Sequence, residues 1–446
     1  MKKLKKRLFA ALIICLPFNL GTFYTHLIEA DLIYAYDVLL AVLYIIWFVE
    51  SNGFSRRRIF WGKMSFPFVL LLLWTLFSAI NAIALTITGI GIYLILKAFL
   101  IYLYIINHVR TREDLNWMFR WMFVGVAFQG LLGIVQYTTG SSLGLEFLGA
   151  VSKRRMAGVT RVRGTIGFPN QFGAWLALQI PIALSLFIFE LKKREKFFYG
   201  AAALFGILAL LLSFSRSAWT GFIVSSFIFV CLLAVKNLLK PKYVLTLLLA
   251  LIVVVALVVG FWDMILLRFE TGATGKYRLV MIEIALDVIK ENFILGVGLH
   301  NYKFHQIDHF KFWHPVHNTY LRLAAETGIP GLLFFLMLII TSIRESYAML
   351  RRNDRFVFAA ALGCLCSLWA FLVLVNFGPE YQHYEIKFMF WIILGIIVSL
   401  KKIYRDNQKL THSLKQKQSA QMLSIENVIP NKKQIPSTSP KNGAKK

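Results

Sequence analysis

The chain has 446 residues, of which 58% are hydrophobic and only 16% are charged, and its mean hydropathy is +0.64. Soluble globular domains carry about 25% charged residues, so the composition excludes a soluble enzyme and requires lipid as the solvent for most of the chain. The formal net charge is +27, but the basic residues fall between apolar runs and in the two tails. That distribution is typical of the positive-inside rule and argues against nucleic acid as a partner.

Apolar runs of about 20 residues, the length that crosses a bilayer, recur from end to end. They predict about twelve transmembrane helices, near residues 8–25, 32–50, 66–85, 89–107, 117–138, 168–190, 197–213, 217–235, 243–263, 330–349, 356–375 and 386–400. The first run follows a Lys-rich N-terminus without a small-residue cleavage site after it, which indicates an uncleaved span. The predicted class is therefore an all-α polytopic membrane protein.

The basic stretches between the runs predict the orientation. Cytoplasmic connections are expected at Arg56–Arg58, His108–Arg112, Lys192–Arg194, Lys236–Lys242 and Arg351–Arg352. Both tails then lie in the cytoplasm, and a large amphipathic segment between spans 9 and 10 lies on the external, periplasmic side. The predicted organisation is spans 1–9 in residues 1–263, the external segment in 264–329, spans 10–12 in 330–400, and a disordered basic tail in 401–446.

One external segment, residues 139–167, is basic where the positive-inside rule predicts few cations. Its cations are Lys153, Arg154, Arg155, Arg161 and Arg163. They belong either to a solvated loop that touches lipid headgroups or to the binding site of an anionic substrate.

A short external turn, Ser213-Phe214-Ser215-Arg216-Ser217, joins two closely spaced spans. A charge at that depth is costly unless it lines a cavity or has a partner. Arg216 is therefore either a structural turn arginine that snorkels to the headgroups or a ligand for an anion.

Arg278 opens a helical pattern in the large external segment. Apolar residues at positions 279, 282, 286 and 289 are expected on one face, with Glu283, Asp287 and Lys290 on the other. This pattern predicts a helix along the membrane surface. An arginine in its first turn adds to the positive end of the helix, which suits phosphate; the alternative is an ion pair with Glu283 or Asp287.

Five of the nine histidines lie close together in the same segment, at His300, His305, His309, His314 and His317. His305 and His309 have the i, i+4 spacing of a helical metal pair, but no acidic signature accompanies them. Interfacial or surface histidines are the alternative interpretation, and neither a metal nor another cofactor is predicted.

His317 is followed by Asn318, a residue typical of helix N-caps. The helix would run to Thr327, with Gly328 just beyond its end and Pro330 opening the next span. His317 would then be held at a rigid external helix entrance. A neutral imidazole there can act as a general base, whereas a capping or packing histidine is the alternative.

Four motifs together resemble the O-antigen ligase superfamily of membrane glycosyltransferases, which includes polysaccharide polymerases and protein O-oligosaccharyltransferases. The motifs are Arg163-Gly164-Thr165 with Pro169-Asn170, the Ser-rich turn at Arg216, Arg278 through Gly296-Val297-Gly298, and His317-Asn318-x-x-Leu321 through Glu326-x-Gly328. The resemblance covers roughly residues 8–400, and the span layout agrees with it. The histidine-rich stretch at 300–314 is not part of the family pattern.

The resemblance implies metal-independent transfer of a glycan from an undecaprenyl-pyrophosphate carrier to an acceptor hydroxyl, in the bacterial inner membrane. It implies that Arg216 and Arg278 bind the pyrophosphate, that Arg163 assists, and that His317 activates the acceptor. The implied partners are the lipid-linked glycan donor, a glycan, lipid or protein acceptor, and membrane lipids. Ligase and polymerase share this donor site, so both activities stay open.

Two other function classes are weighed against this one. A transporter for a small anion should place its charges near the bilayer midplane on broken helices, often with internal repeats, whereas here the decisive residues cluster at one face. A non-catalytic scaffold in envelope assembly should not need Arg216, Arg278 or His317.

Overall fold

A computed structural model describes residues 2–25, 30–51, 53, 59–150, 154–156, 159–238, 274–306 and 316–428. The helices are α1 (Lys2–Cys15), α2 (Ala35–Glu50), α3 (Ser65–Ser78), α4 (Leu85–His108), α5 (Arg112–Thr139), α6 (Pro169–Phe189), α7 (Lys193–Leu212), α8 (Arg216–Val235), α9 (Thr274–Glu291), α10 (Thr319–Met349), α11 (Arg355–Phe377) and α12 (Tyr384–Val428). Short 3-10 turns occupy Ala79–Asn81, Glu146–Leu148, Tyr302–Gln306 and Glu380–Gln382.

Two small antiparallel hairpins interrupt the helices. The first pairs β1 (Gly21–Thr25) with β2 (Ala30–Tyr34), and the second pairs β3 (Arg154–Met156) with β4 (Val159–Arg161). The remaining regular structure in the described part of the chain is helical, so the predicted all-α class is confirmed.

Seven helices in the described part of the chain are long and apolar enough to cross a membrane. They are α4, α5, α6, α7, α8, α10 and α11. These helices make the chain a multi-pass membrane protein, but the predicted number of about twelve spans is not confirmed. Among the other predicted spans, 243–263 lies outside the described residues and 386–400 falls within α12.

The first predicted span, 8–25, is wrong in its second half. Helix α1 ends at Cys15, because Pro17 and Gly21 disfavour a continuing helix, and the chain then enters β1. Helices α2 and α3 contain 16 and 14 residues. Such helices reach about 24 and 21 Å at 1.5 Å per residue, less than the roughly 30 Å hydrocarbon core.

The prediction of a disordered tail from residue 401 is wrong for its first part. Helix α12 continues to Val428, and residues 429–446 lie outside the described part. Residues 401–428 contain neither glycine nor proline and are rich in Lys, Gln and Leu, which are good helix formers. The first proline in the tail is Pro430. Polarity alone therefore does not prevent a helix here.

Helices α6 and α11 form the interior of the unit that extends to Lys401. Their close approach depends on small residues: a Cβ added at Gly363 would lie 2.5 Å from Ile182 Cα. Hydroxyl groups also tie the two helices together, since Ser367 Oγ donates to Leu178 O at 2.5 Å and Ser185 Oγ donates to Ala359 O at 2.6 Å. Small residues and interhelical hydrogen bonds are the usual means of helix association in lipid.

Helix α9 is amphipathic. The residues that it buries against the rest of the chain are Met281, Ile284, Ala285, Val288 and Ile289. Of the apolar residues predicted to share one face, Ile289 belongs to this buried set, whereas Leu279 and Leu286 are exposed, as are Glu283, Asp287 and Lys290. Because α9 is apolar over more than one face, periodicity alone does not identify the residues that pack against α10. The position of α9 along the membrane surface stays a prediction.

The start of α10 is confirmed in detail. Asn318 is its N-cap, and Asn318 Oδ1 accepts a hydrogen bond from Leu321 N at 3.0 Å. The helix kinks at Gly328, whose φ is 68° and ψ is 176°. The boundary predicted between 329 and 330 is therefore a kink within α10, after which Pro330 occupies the start of the membrane-spanning part.

Gly328 is the position where the backbone most clearly requires glycine. Its φ and ψ fall in a region that is essentially restricted to glycine, and an added Cβ would lie 1.9 Å from Ile294 O. We expect Gly328→Ala to lower stability by at least about 1–3 kcal/mol from backbone conformation alone. The measurement is thermal unfolding of the purified protein in detergent.

Gly89→Ala is the matched control. Gly89 lies in α4 with no atom within 4 Å of an added Cβ, so alanine there should leave the unfolding temperature unchanged or raise it slightly. Equal unfolding temperatures for the two variants would show that the kink at Gly328 tolerates a side chain.

Candidate functional site

The Ser-rich turn presents Arg216 at the first position of α8. Ser215 is the N-cap, and its Oγ accepts a hydrogen bond from Ala218 N at 3.5 Å. Phe214, one residue earlier, has a φ of 46°, which is uncommon for a residue with a side chain. Strained backbone of this kind is frequent at functional sites. Arg216 itself is half-buried at the positive end of a helix.

Arg278 comes from a different helix but lies in the electrostatic field of Arg216. It is half-buried in the second turn of α9. Burial lowers the pKa of Arg278, and the positive charge of Arg216 lowers it further. Within the described residues, Arg278 Nε is buried and has no hydrogen-bond partner. The fold thus places two predicted anion ligands within electrostatic range of each other, although they are 62 positions apart in the sequence.

His317 lies immediately before the N-cap of α10 and is half-buried. The neighbouring Asn318 is fixed to α11, because its Nδ2 donates to Asn376 Oδ1 at 2.9 Å. Val316, on the other side, belongs to the hydrophobic cluster that includes Met281 of α9. The segment that carries His317 is therefore anchored to the helix that carries Arg278, and it forms the rigid entrance that the sequence predicts.

Arg163 lies in a loop that two glutamines of α5 hold in place. Gln136 Nε2 donates to Gly164 O at 2.8 Å, and Gln129 Oε1 accepts from Thr165 N at 3.1 Å. The Arg163 side chain donates through Nη1 to Gly167 O at 2.9 Å. The Arg-Gly-Thr motif thus has a clear structural role, and Arg163 is half-buried beside it.

Arg161 joins this loop to the turn that carries Arg216. It is 2% exposed, and its Nε donates to Ser213 O at 2.8 Å while its Nη2 donates to Asn170 Oδ1 at 2.6 Å. The sequence pattern grouped Arg161 with the external cations of a solvated loop or an anion site. In the structure, Arg161 connects the motif that contains Asn170 to the Ser-rich turn that carries Arg216.

The sequence did not single out the most deeply buried ion pair near the site. Arg322 and Glu326 of α10 are 3% and 2% exposed, and Arg322 Nε donates to Glu326 Oε1 at 2.7 Å. Arg322 also contacts Gln382 in the loop before α12, and its Nη2 lies 3.4 Å from His300 Nδ1. The i, i+4 spacing of Arg322 and Glu326 was the sequence signal for this pair.

Two half-buried histidines, His300 and His383, continue this polar network. His383 Nδ1 lies 2.7 Å from Gln171 Nε2, next to the Asn170 that binds Arg161. Burial, with the charges of Lys387 and Arg322, lowers the pKa of His383 to about 4. Burial and the charge of Arg322 also lower the pKa of His300 well below its usual value. Both imidazoles are therefore neutral near pH 7 and can accept hydrogen bonds.

Two of the sequence motifs, Gly296-Val297-Gly298 and Glu326-x-Gly328, contact each other at the kink of α10. A Cβ at Gly296 would lie 2.5 Å from the carbonyl carbon of Glu326, and Val297 N donates to Ala325 O at 2.9 Å. Asn301 extends the contact to α4, since its Oδ1 accepts from Ala84 N at 2.8 Å. The loop after α9 is therefore fixed against both α10 and the N-terminal end of α4.

No group of three or more His, Cys, Asp and Glu residues is placed to hold a metal ion within the described residues. His305 is described and half-buried. His309, its i, i+4 partner, and His314 lie outside the described residues, so the pair proposed from spacing is not seen.

The chain was compared with models of known protein families. The family model described as O-antigen ligase matches residues 201–336, a region that contains Arg216, Arg278 and His317. Arg163 lies before that region. No curated protein matches the chain.

Proposed function

We propose that this chain, whose residues 201–336 match that family, is a member of the O-antigen ligase superfamily and catalyses a glycan transfer. The protein transfers a glycan from an undecaprenyl-pyrophosphate carrier to an acceptor hydroxyl. Arg216 and Arg278 bind the pyrophosphate, Arg163 assists them, and His317 removes the acceptor proton. The site faces the external side of the bacterial inner membrane, and ligase and polymerase activities both use this donor site.

The Arg278 side chain is the observation that carries the proposal: its Nε is buried without a hydrogen-bond partner among the described residues, and the charge of Arg216 lowers its pKa. Two guanidinium groups repel each other, and burial increases that cost. A dianionic group bound between them relieves this repulsion. Its charge-assisted hydrogen bonds to the two guanidinium groups are strong and often bidentate. Arg216 adds its charge to the free N–H groups at the start of α8, which favour an anion at the same place.

The arginines would also lower the barrier of the transfer step. When the bond between the anomeric carbon and the phosphate oxygen breaks, its electron pair stays on the leaving pyrophosphate. Fixed guanidinium groups stabilise that developing charge without reorganisation. A pyrophosphate neutralised in this way does not require a divalent metal, and the proposed reaction is therefore metal-independent.

His317 acts on the acceptor by removing the proton of its hydroxyl group. As the acceptor oxygen forms its bond to the anomeric carbon, its proton passes to a neutral imidazole nitrogen. The histidine must be held still for this step, and the Asn318–Asn376 hydrogen bond and the Val316 packing provide that rigidity. The buried Arg322–Glu326 pair supports the same helix turn from within.

The arginine pair gives a direct test of the donor site. We expect Arg216→Ala and Arg278→Ala each to weaken binding of a polyprenyl-pyrophosphate glycan and to slow its transfer by about 10²-fold or more, the usual worth of a group that stabilises developing charge. Lysine at either position should rescue only part of the rate, since it supplies a point charge instead of a planar fork. The measurement is donor binding and transfer by the purified protein.

Arg120→Ala is the matched control. Arg120 is an exposed arginine of α5 that pairs with Glu195, so its loss should change neither binding nor transfer. Wild-type turnover in both Arg216→Ala and Arg278→Ala, at normal protein levels, would remove the pair from the site.

A further inference from the structure

Two adjoining cavities lie among the first helices, away from the proposed active site. The larger, of about 600 Å³, lies between α1, α2, α4 and α5. The smaller, of about 410 Å³, lies beside it between α1 and α5. Lys6 and Trp117 line both cavities, so the two form one continuous site, which we call the α1–α5 site.

The α1–α5 site is at the opposite end of α4 from the candidate active site. Its wall includes Tyr104 and His108 at the C-terminal end of α4, whereas the loop after α9 binds Ala84 and Thr88 at the N-terminal end. Helix α4 has 24 residues and is therefore about 36 Å long. A ligand in the α1–α5 site cannot touch the proposed donor site.

The described lining of the α1–α5 site is strongly cationic. Five basic side chains line it against two carboxylates, and they are Lys3, Lys5, Lys6, Arg7 and Arg110, with Glu50 and Asp114. Lys6 Nζ pairs with Asp114 Oδ1 at 2.7 Å, and Lys5 pairs with Glu50. The pairs balance two of the five cations and leave a net excess of three, which favours an anionic ligand.

The same site is amphipathic, and its apolar part indicates what kind of anion fits. Trp117 stands between the two cavities, and Trp47 lines the larger one while Trp121 lines the smaller. Tryptophan is enriched at the level of the lipid headgroups. Ala10, Ala11 and Ile14 continue the smaller cavity along the apolar side of α1. A polar anion alone would leave this apolar wall without a partner.

We propose that the α1–α5 site binds an anionic phospholipid. The phosphate of its headgroup lies where the two cavities meet, between Arg7 of the smaller one and Arg110 of the larger one, and an acyl chain follows Ala10 and Ile14 along α1. Basic pockets between membrane helices are a common way to hold anionic headgroups. The observations favour a lipid over free phosphate, because only a lipid uses both the cationic and the apolar part of the site.

The test measures retained lipid on the purified full-length protein. The protein in detergent is offered phosphatidylglycerol and phosphatidylcholine with identical acyl chains, and bound lipid is counted by native mass spectrometry. We expect phosphatidylglycerol to be retained at least about fivefold in preference, since each basic residue near an anionic headgroup strengthens binding several-fold. Inorganic phosphate at millimolar concentration should not displace it.

Paired variants locate the site. Arg7→Gln with Arg110→Gln removes two lining cations and should reduce phosphatidylglycerol retention by roughly tenfold. Lys193→Gln with Arg194→Gln removes the same charge from the exposed start of α7 and should leave retention unchanged. Equal retention of the two lipids by the wild type, equal loss in both variants, or displacement by inorganic phosphate would each overturn the proposal.

A second readout serves if the Arg7/Arg110 variant does not fold. Brominated phosphatidylglycerol should quench the fluorescence of the wild type more than brominated phosphatidylcholine does, and the difference should shrink in Trp117→Phe. An unchanged difference in Trp117→Phe would place the bound lipid elsewhere and overturn the proposal.

Discussion

His317→Ala should bind the lipid-linked donor normally and transfer its glycan roughly 10²–10⁴-fold more slowly, the usual contribution of a positioned general base. Donor binding is expected to survive because the proposed pyrophosphate ligands, Arg216 on α8 and Arg278 on α9, are unchanged in this variant. The deficit should appear in the chemical step. Single-turnover transfer and donor binding, measured on the same purified variant, separate these two effects.

His305→Ala and His314→Ala are the controls for the histidine. Both residues belong to the histidine-rich stretch that precedes His317 in the sequence, and both variants should retain most of the transfer rate. A dead His314→Ala beside a normal His317→Ala would identify a different histidine as the base. Normal transfer in all three variants would exclude general-base catalysis from this segment.

Arg322→Ala should be the most destabilising single change near the site. It leaves the Glu326 carboxylate buried without the guanidinium that now contacts it, and removing one member of a buried pair costs roughly 3–5 kcal/mol. It also releases Gln382 and His300 from the same side chain. Thermal unfolding in detergent measures the loss.

Two further variants show whether the unpaired charge of Glu326 causes the loss of stability in Arg322→Ala. In Arg322→Met with Glu326→Leu, no buried charge is left unpaired, so much of the lost stability should return. Lys290→Ala breaks an exposed pair with Asp287 on α9 and should have no measurable effect. If the double variant is as unstable as Arg322→Ala, the helix depends on the contacts to Gln382 and His300 and not on the charge balance.

The features that sequence predicted well are those that depend on neighbouring residues. The cap at Asn318 and the kink at Gly328 are local chemistry: a side-chain amide satisfies a free N–H, and a glycine adopts a conformation that other residues avoid. Hydropathy and the spacing of basic residues are also properties of neighbouring residues, and they predicted the all-α membrane class. Arg216 and Arg278 each lie near the start of a helix, and the charge of Arg216 lowers the pKa of Arg278.

The features that sequence missed depend on tertiary packing. The residues of α9 that pack against the rest of the chain are selected by tertiary contacts, and the pattern within α9 included only Ile289 of that buried set. His383 and Gln171 meet across 212 positions of sequence, and no local signal links them. The early end of α1 has a local cause instead, since Pro17 and Gly21 interrupt the first predicted span.

Transfer by the purified wild-type protein is the measurement that tests the central claim most directly. The protein is mixed with an undecaprenyl-pyrophosphate glycan and a set of lipid, oligosaccharide and protein acceptors, with EDTA present throughout. The proposed mechanism predicts that one acceptor class gains the glycan while undecaprenyl pyrophosphate is released, at the same rate with and without the chelator. An intact donor with every acceptor, or transfer that EDTA abolishes and a divalent ion restores, would contradict it.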